Sequence, residues 1–388
     1  MVEKTVPYPS LNTPAVLVDL NTLEANINRI SGLAKEAGLK LRPHVKIHEN
    51  ASIAKKQIAA GACGVEVGVV EQAEAMAEQG IDDILVAHPG YYGGPKGEIL
   101  KKLLGKPALK LAMVVDMLEQ AEIISQVAQA VGRKACVLIK VDLGRSSRFG
   151  VPPGKPVMDL ATQLGKLPGI ELVGIYSHEM GVKPTPEDKD EVALEAAEIM
   201  VENARMLRSA GMEMEHVSVG ASSTFPSTCR FRKEGKFREL TEIHAGAFFV
   251  GDIRYMRQGG NTREACAVTV LTTVLSALRD DYAIIDAGYK TFGSDSLFEH
   301  RDKPDFWWQE KLSYGSVQGR PDLWFGRLSA ETGGVYYMKP GNKLTLGERL
   351  EIVPNNATLV INIHDRIYGV RTGAVEEEIP VTGRGRGN

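Results

Sequence analysis

The sequence predicts a (β/α)8 TIM-type barrel followed by an all-β domain, which is an α/β fold class with two domains. Over residues 39–249, short apolar segments alternate with amphipathic helical segments, the pattern of βαβ units around a buried parallel sheet. Eight such units suit a closed barrel. From residue 265 the helical segments nearly disappear, and the length of 388 residues suits two domains better than one. A doubly wound open sheet is the alternative architecture.

Eight strand segments form the predicted barrel, and a ninth segment precedes it. The preceding segment, PAVLVDL at residues 14–20, could join the later β domain and make that domain discontinuous in sequence. The barrel segments are short and mostly apolar, as expected for parallel strands buried on both faces. They cover residues 39–45, 64–68, 83–88, 109–115, 135–142, 171–178, 216–219 and 242–249.

Helical segments lie between most of these strands, with apolar residues three and four positions apart on one face. Examples are residues 23–37, 50–60, 70–79, 117–131, 156–164 and 188–209.

Beyond residue 265, strand-like runs are punctuated by Gly, Asn and Pro. They read CAVTVLTTVLSAL, YAIIDAG, GGVYYM, ERLEIVP and ATLVINIHD. We therefore predict a barrel domain over residues 23–264. Residues 265–388, with a strand contributed by residues 1–22, form the predicted β domain.

The composition is that of a globular protein, with 43% hydrophobic residues, 24% charged residues and a formal net charge of -3. No clustered basic surface for nucleic acid is predicted. No apolar run reaches the roughly 20 residues that a membrane-spanning helix needs. The first residues contain no apolar signal core, so we expect a cytoplasmic location. The four cysteines form no CxxC pair, which argues against a zinc knuckle or a redox pair.

Candidate site residues follow the predicted strands, because barrel active sites lie at the carboxyl ends of the strands. The first barrel strand leads into RPHVKIH at residues 42–48. On an extended segment His44, Lys46 and His48 would face the same side. Lys46 is the candidate for chemistry, and a solvated loop lysine is the alternative interpretation. The two histidines are candidates for supporting roles only.

Small residues and hydroxyls after the seventh strand suit a phosphate. Gly220, Ala221 and Ser222 follow that strand, and Gly246 and Ala247 lie in the eighth. Small side chains let backbone N–H groups approach an anion, and barrels often bind phosphate in the loops after strands seven and eight. An ordinary turn is the alternative.

Taken in order, several segments resemble the D-threonine aldolase and D-serine dehydratase group. These are fold-type III pyridoxal 5'-phosphate (PLP) enzymes, built as an alanine racemase-like barrel plus a β domain. The resemblance runs over nearly the whole chain, and the RPHxKxH element is its most specific part. The segments are LNTPA with VD at 11–19, RPHVKIH at 42–48, GIYSH at 174–178, DAGYK at 286–290, and VPNN through NIHD at 353–365.

This resemblance implies that PLP is the cofactor and that Lys46 carries it. Arg148 resembles the arginine that meets the cofactor's phenolic oxygen, and Tyr176 resembles the tyrosine near the cofactor ring. The small residues after strands seven and eight would hold the phosphate. His178 is a candidate second acid/base, because an imidazole titrates near neutral pH; a histidine with a purely structural role in the barrel is the alternative.

The sequence departs from the group at the metal ligands. Metal-bearing members carry a His-x-Cys or His-x-Asp pair after the Pro-Asn of the β domain. Here the matching residues are Asn356 and Thr358, which are poor ligands for zinc beside imidazole or thiolate. We therefore predict no metal ligands, and a divalent metal is doubtful.

Three functions are weighed. The favoured one is a PLP-dependent lyase acting on a D-3-hydroxy amino acid, by aldol cleavage or by dehydration. The runner-up is a PLP-dependent amino-acid racemase that needs no metal. A PLP-binding protein without turnover is the third, and the β region of about 120 residues argues against it. By analogy with the group we expect a homodimer with a small-molecule amino-acid substrate.

Overall fold

The structure, a computed structural model, describes residues 7–145, 149–298, 312–339, 341 and 343–387. They divide into two compact units. One unit contains Ile27–Phe248 and the end of the chain from Gly385. The other contains the described residues up to Asn26 and those within Phe249–Arg384. The domain boundaries predicted from the sequence stay a prediction.

The first unit is the predicted barrel. After β1 (Ala15–Asp19), which belongs to the other unit, the described residues form eight parallel strands in the order β2-β9-β8-β7-β6-β5-β4-β3. A parallel bridge between His44 and Glu66 joins the two edges of this sheet, so the barrel is nearly closed and the predicted fold class is confirmed. The strands are β2 (Lys40–Pro43), β3 (Val65–Val67), β4 (Asp83–Val86), β5 (Lys110–Val115), β6 (Ala135–Lys140), β7 (Ile170–Tyr176), β8 (His216–Val219) and β9 (Glu242–Ala245).

The helices of the barrel alternate with its strands. Several begin at residues suited to helix starts; in the longest, Thr185 accepts a hydrogen bond from the Asp188 N–H at 3.2 Å and a proline follows it. The helices are α1 (Leu20–Glu36), α2 (Ala51–Ala59), α3 (Val70–Glu78), α4 (Pro95–Leu104), α5 (Leu118–Ala130), α6 (Lys155–Leu164), α7 (Pro186–Ser209) and α8 (Phe225–Lys233).

Burial explains why the strand sequences are so apolar. Val137, Leu138 and Ile139 in β6 are each 0% exposed. A parallel strand inside a ring of helices is covered on both faces, so both faces must be apolar.

The lower part of the barrel, at the amino ends of the strands, contains a buried ion-pair cluster. The Arg42 guanidinium in β2 contacts Glu242 of β9 at 2.9 Å and Asp83 of β4 at 2.6 Å. His216 Nδ1 lies 3.4 Å from the second Glu242 oxygen. Burial alone would raise the pKa of Glu242, but the neighbouring Arg42 and His216 outweigh it and lower that pKa to about 2.

The other unit is built on one large sheet. In the described residues its order is β15-β16-β11-β10-β1-β18-β19, with β17 pairing both β10 and β14. The early strand β1 runs antiparallel to β10 and parallel to β18. Beyond β1, the strands of this unit are β10 (Val268–Ser276), β11 (Tyr282–Ile285), β12 (Leu297–Phe298), β13 (Leu312–Ser313), β14 (Gly315–Val317), β15 (Leu323–Leu328), β16 (Gly333–Tyr337), β17 (Arg349–Pro354), β18 (Arg366–Arg371) and β19 (Ala374–Pro380).

Three short helices belong to this unit: α9 (Ile253–Arg257), α10 (Tyr289–Phe292) and α11 (Ala357–Asn362). The last corrects the prediction that ATLVINIHD is a strand. The Asn356 side chain accepts a hydrogen bond from the Leu359 N–H at 3.3 Å and begins a helix there.

Two barrel predictions also need correction. The eighth barrel strand ends at Ala245, and a turn occupies residues 246–250 instead of the predicted strand. The first barrel strand ends at Pro43, and Val45–Ile47 form a single 3-10 turn.

Among the described residues, no helix combines the length and apolarity needed to cross a bilayer.

Candidate active site

Polar side chains gather at the carboxyl ends of the barrel strands, where barrel active sites lie. Lys46 follows β2, Glu66 lies in β3, Lys140 ends β6 and Tyr176 ends β7. His178 lies two residues beyond β7. Sequence reasoning identified Lys46, Tyr176 and His178 but missed Glu66 and Lys140.

Lys46 lies on the 3-10 turn after β2. Its side chain is exposed, whereas Val45 and Ile47 on either side are buried. Burial is the largest cause of the raised pKa of Glu66 and of the lowered pKa of Lys140. The charge of Lys46 opposes the first shift and adds to the second. The Lys46 amine is therefore within electrostatic reach of these two groups.

The turn corrects the prediction that His44, Lys46 and His48 face one side. His44 is 6% exposed, and its Nδ1 accepts a hydrogen bond from the Lys46 N–H at 3.4 Å. His48 is 0% exposed and contacts Gln57 at 3.3 Å. The two imidazoles lie in the interior while Lys46 is exposed, because alternation holds only for extended backbone.

A buried polar layer forms the floor of this end of the barrel. Glu66 Oε1 accepts a hydrogen bond from the Tyr176 hydroxyl at 2.9 Å, and His44 Nε2 lies 3.6 Å from the same oxygen. Glu66 Oε2 lies 3.8 Å from His244 Nδ1. The His244 ring stacks on the Tyr176 ring with centroids 4.5 Å apart. Burial raises the pKa of Glu66 and of Tyr176, so this layer favours neutral forms.

Several atoms of the floor have no hydrogen-bond partner. Among the described residues, His44 Nε2, Glu66 Oε2, His244 Nε2 and both carboxylate oxygens of Glu179 are buried and unpaired. Buried polar atoms are normally satisfied, so each exception needs an explanation. Their concentration at one end of the barrel indicates a site for a polar ligand.

His178 is held in one orientation. Its Nδ1 donates to the Gly220 carbonyl at 2.8 Å, because a ring nitrogen facing a carbonyl must carry the proton. Burial, together with the charges of Lys140 and Lys46, lowers the pKa of His178 to about 3. The ring is therefore neutral at pH 7, and Nε2 is left as an acceptor.

The turns after β8 and β9 have backbone N–H groups that could bind an anion. Gly220 has φ +156°, and a Cβ there would lie 2.1 Å from the His244 carbonyl oxygen. The Ser222 hydroxyl accepts a hydrogen bond from the Gly246 N–H at 3.1 Å and ties the two turns together. Neither Ala221 nor Ala247 donates its N–H to a backbone carbonyl within the described residues. These N–H groups are available to a phosphate at the start of α8.

The structure thus brings most predicted site residues to one end of one unit. Arg148 lies outside the described residues, and its predicted contact with the cofactor stays a prediction. Besides Glu66 and Lys140, the residues that sequence reasoning missed are His244 and Glu179, at 1% and 3% exposure.

The residues at the predicted metal positions make contacts of other kinds. The Asn356 side-chain oxygen accepts the hydrogen bond that begins α11, and Thr358 lies within that helix. No group of three or more His, Cys, Asp or Glu side chains able to hold a metal ion occurs in the described part of the chain. The donor set at these positions does not fit a zinc-like metal.

The fold and these side chains define a class of protein: a (β/α)8 barrel with a small-molecule site at the carboxyl ends of its strands and a mostly-β second unit. Comparison with known families makes this more specific. Residues 18–252 match the alanine racemase N-terminal domain, and residues 267–370 match a putative serine dehydratase domain. The chain belongs to the alanine racemase N-terminal domain family.

Similar proteins cover almost the whole chain. A D-threonine aldolase from Arthrobacter sp is 30% identical, over 98% of this chain and 94% of its own length. A D-threo-3-hydroxyaspartate dehydratase from Delftia sp. is 30% identical, over 90% of this chain and 91% of its own. The crystal structure of D-threonine aldolase from Filomicrobium marinum superimposes with a TM-score of 0.84 at 28% identity, covering 98% of both chains. These findings confirm the family resemblance predicted from the sequence.

Proposed function

We propose that this protein is a PLP-dependent lyase that acts on a D-3-hydroxy amino acid, by retro-aldol cleavage or by elimination of water. The observation that carries the proposal is the exposed amine of Lys46 at the carboxyl end of the barrel, above the buried polar floor. The full-length similarity to an aldolase and a dehydratase of such amino acids supports the substrate class.

The residues present fit PLP. Lys46 would hold the cofactor covalently, and the turns at Gly220–Ser222 and Gly246–Ala247 would hold its phosphate through backbone N–H groups. Arg148 is proposed to meet the phenolic oxygen, and Tyr176 to support the ring from below. When bound, PLP supplies an electron sink for negative charge at the substrate α-carbon.

The side chains of the protein would then handle protons. Lys46 is the proposed base and acid at the α-carbon, because its amine is the exposed group of the cluster. His178 would act through Nε2. Because its pKa is about 3, it can hold a second proton only if an anionic substrate group raises that pKa. Asn356 and Thr358 are poor metal ligands, so no step of the reaction is assigned to a metal.

The test uses purified protein supplied with PLP and a panel of D-threonine, D-serine and D-3-hydroxyaspartate. An aldehyde product indicates cleavage, an oxo acid with ammonia indicates elimination, and a chirality readout detects racemisation. Lys46→Ala should abolish the visible absorbance of the bound cofactor and the activity. The matched control is Lys55→Ala, an exposed lysine of α2, which should change neither.

Two results would contradict the proposal. Cofactor absorbance that survives Lys46→Ala would put the cofactor on another amine. A loaded wild-type protein that is silent on the whole panel would remove the substrate class. The expected homodimer and cytoplasmic location stay predictions; light scattering on the eluted protein measures the first.

A further inference from the structure

Lys140 is a second amine at the same end of the barrel. It is the last residue of β6, and it shares a strand face with Leu138, two residues earlier. Leu138 packs with Tyr176 in a buried cluster, so Lys140 points to the same side as Tyr176. Its side chain is only 7% exposed. Lysine is rarely this buried unless it is paired.

In the part of the chain that the structure describes, the Lys140 amine makes no hydrogen bond and no ion pair. Its nitrogen lies over the face of the Tyr176 ring, 4.5 Å from the centroid. An ammonium has three donors, and a ring face satisfies none of them fully. An unpaired, nearly buried amine at the catalytic end of a barrel is placed to meet a ligand.

The charges around Lys140 come from several elements. Burial lowers its pKa most, and Lys46 after β2 lowers it further. Glu66 in β3, Asp116 after β5 and Glu179 after β7 act in the opposite direction. The outcome is a pKa of about 8, so both forms of the amine exist near neutral pH.

The other titratable groups near Lys140, which are His178, His244 and Tyr176, do not compete with it for proton transfer. Burial is the main reason that the pKa values of His178 and His244 are low, and Lys140 lowers both further. Both rings are therefore neutral at pH 7. Tyr176 also stays neutral, because burial raises its pKa and its hydroxyl donates to Glu66.

We propose that Lys140 is a catalytic residue that exchanges a proton with the β-hydroxyl of the substrate, an inference that rests on the proposed function. In cleavage, the neutral amine takes the hydroxyl proton, the Cβ–O bond becomes a carbonyl, and the Cα–Cβ bond breaks with its electron pair left at Cα. Lys46 then protonates Cα. In elimination, Lys46 takes the α-hydrogen as a proton, and the electron pair left at Cα forms the Cα–Cβ double bond as the Cβ–O bond breaks. The Lys140 ammonium gives its proton to the departing hydroxyl, which leaves as water.

The geometry favours Lys140 over the alternatives for this role. Lys46 is assigned to the α-carbon, and the hydroxyl oxygen is only two bonds away from that carbon. A second proton-transfer group must therefore lie near Lys46, and the charge of Lys46 reaches Lys140.

The two reactions predict opposite pH dependences. Cleavage needs the neutral amine, so its rate should rise about tenfold per pH unit below pH 8 and level off above it. Elimination needs the charged amine, so its rate should fall as pH rises through 8. This profile can be measured on the wild-type enzyme, without any variant.

The main experiment separates hydroxyl chemistry from α-carbon chemistry. Lys140→Met should lower turnover of the β-hydroxy substrate by about 10²-fold or more, the usual size of an acid/base effect. It should keep the visible cofactor absorbance and should exchange the α-hydrogen of D-alanine for deuterium at a rate within a few-fold of wild type. Lys140→Arg, which cannot lose its proton near neutral pH, should lose cleavage and the pH dependence. Lys110→Met, at the exposed start of β5, is the control and should change nothing.

Each other outcome overturns the inference in a recognisable way. Unchanged turnover in Lys140→Met, or a wild-type rate that does not titrate near pH 8, removes the role of Lys140. Equal loss of turnover and of α-exchange, with cofactor retained, assigns Lys140 to the α-carbon step. Loaded wild-type protein that exchanges D-alanine but converts no β-hydroxy compound overturns the proposed function, and the role of Lys140 falls with it.

Discussion

Replacing Glu242 by Gln should destabilise the barrel strongly. Glu242 is 0% exposed, and its Oε1 contacts Arg42 at 2.9 Å at the amino ends of the strands. Glutamine keeps the shape but removes the charge, so the Arg42 guanidinium loses its most buried anionic partner. Breaking a buried pair by neutralising one member leaves an uncompensated charge in the interior.

The size of the effect follows from the pKa of Glu242, which lies at about 2 against an ordinary value of 4.5. That difference of about 2.5 is worth roughly 3 kcal/mol, at about 1.36 kcal/mol per pKa unit. The figure agrees with the range of roughly 3–5 kcal/mol for breaking buried pairs. A loss of this size lowers the thermal midpoint by roughly 6–12 °C, taking about 2–4 °C per kcal/mol for a unit of this size.

The direction in which this stability contribution changes with pH also follows from the pKa. Because the folded-state pKa is depressed, the contribution is fully present above pH 4.5 and is lost as pH falls towards 2. Wild-type protein should therefore lose stability over this window more steeply than Glu242→Gln does.

The assay is thermal and urea unfolding followed by circular dichroism, with the visible absorbance of bound cofactor as the readout of the site. The matched control is Glu36→Gln, which removes an exposed ion pair with Lys233 at 2.8 Å and should leave the midpoint unchanged. Arg42→Met with Glu242→Leu should recover much of the loss, since apolar pairs often replace buried ion pairs well. If Glu242→Gln shifts the midpoint no more than Glu36→Gln does, the reasoning from burial is wrong.

Two further predictions concern the upper layer of the barrel. Tyr176→Phe should cost about 1–3 kcal/mol in unfolding free energy, because the buried Glu66 carboxyl loses the donor at 2.9 Å; a thermal midpoint equal to wild type would contradict this. Gly220→Ala should weaken cofactor binding at least tenfold in an absorbance titration, because a Cβ would meet the His244 carbonyl oxygen at 2.1 Å. Ala221→Gly, in the same turn, is its control and should bind normally.

Much of the fold could be predicted because the barrel strands are buried on both faces. A run such as ACVLIK has few interpretations other than a buried strand, and β6 covers Ala135–Lys140. Local patterns failed where capping decides the structure. The β-branched and apolar residues of ATLVIN favour a strand, yet Asn356 begins a helix there. The propensity of a six-residue segment is too weak to outweigh a cap and tertiary packing.

The site was predictable only where a residue follows a strand. Lys46 was identified because it comes just after the first barrel strand. Lys140 was missed because the predicted strand ran to residue 142, so only later residues were considered. Its spacing from Leu138 placed it on an interior face, and that signal was available. Glu66 gave no such signal, because its burial depends on contacts between strands that are far apart in sequence. Glu179 directly follows the predicted sixth strand, so its position was a signal that could have been used.

The two ends of the barrel treat buried charge differently, and this difference is the strongest argument for a ligand. At the amino end, Arg42 has two carboxylate partners within 3 Å. At the carboxyl end, His44 Nε2, Glu66 Oε2 and His244 Nε2 have no hydrogen-bond partner among the described residues. Each such atom lowers the free energy of unfolding by about 1–3 kcal/mol. Apolar residues of similar size, which occur elsewhere in the strands, would avoid that loss. Polar atoms that lack hydrogen-bond partners and cluster at this end are explained if a bound molecule meets them, directly or through the amine and hydroxyl groups above them.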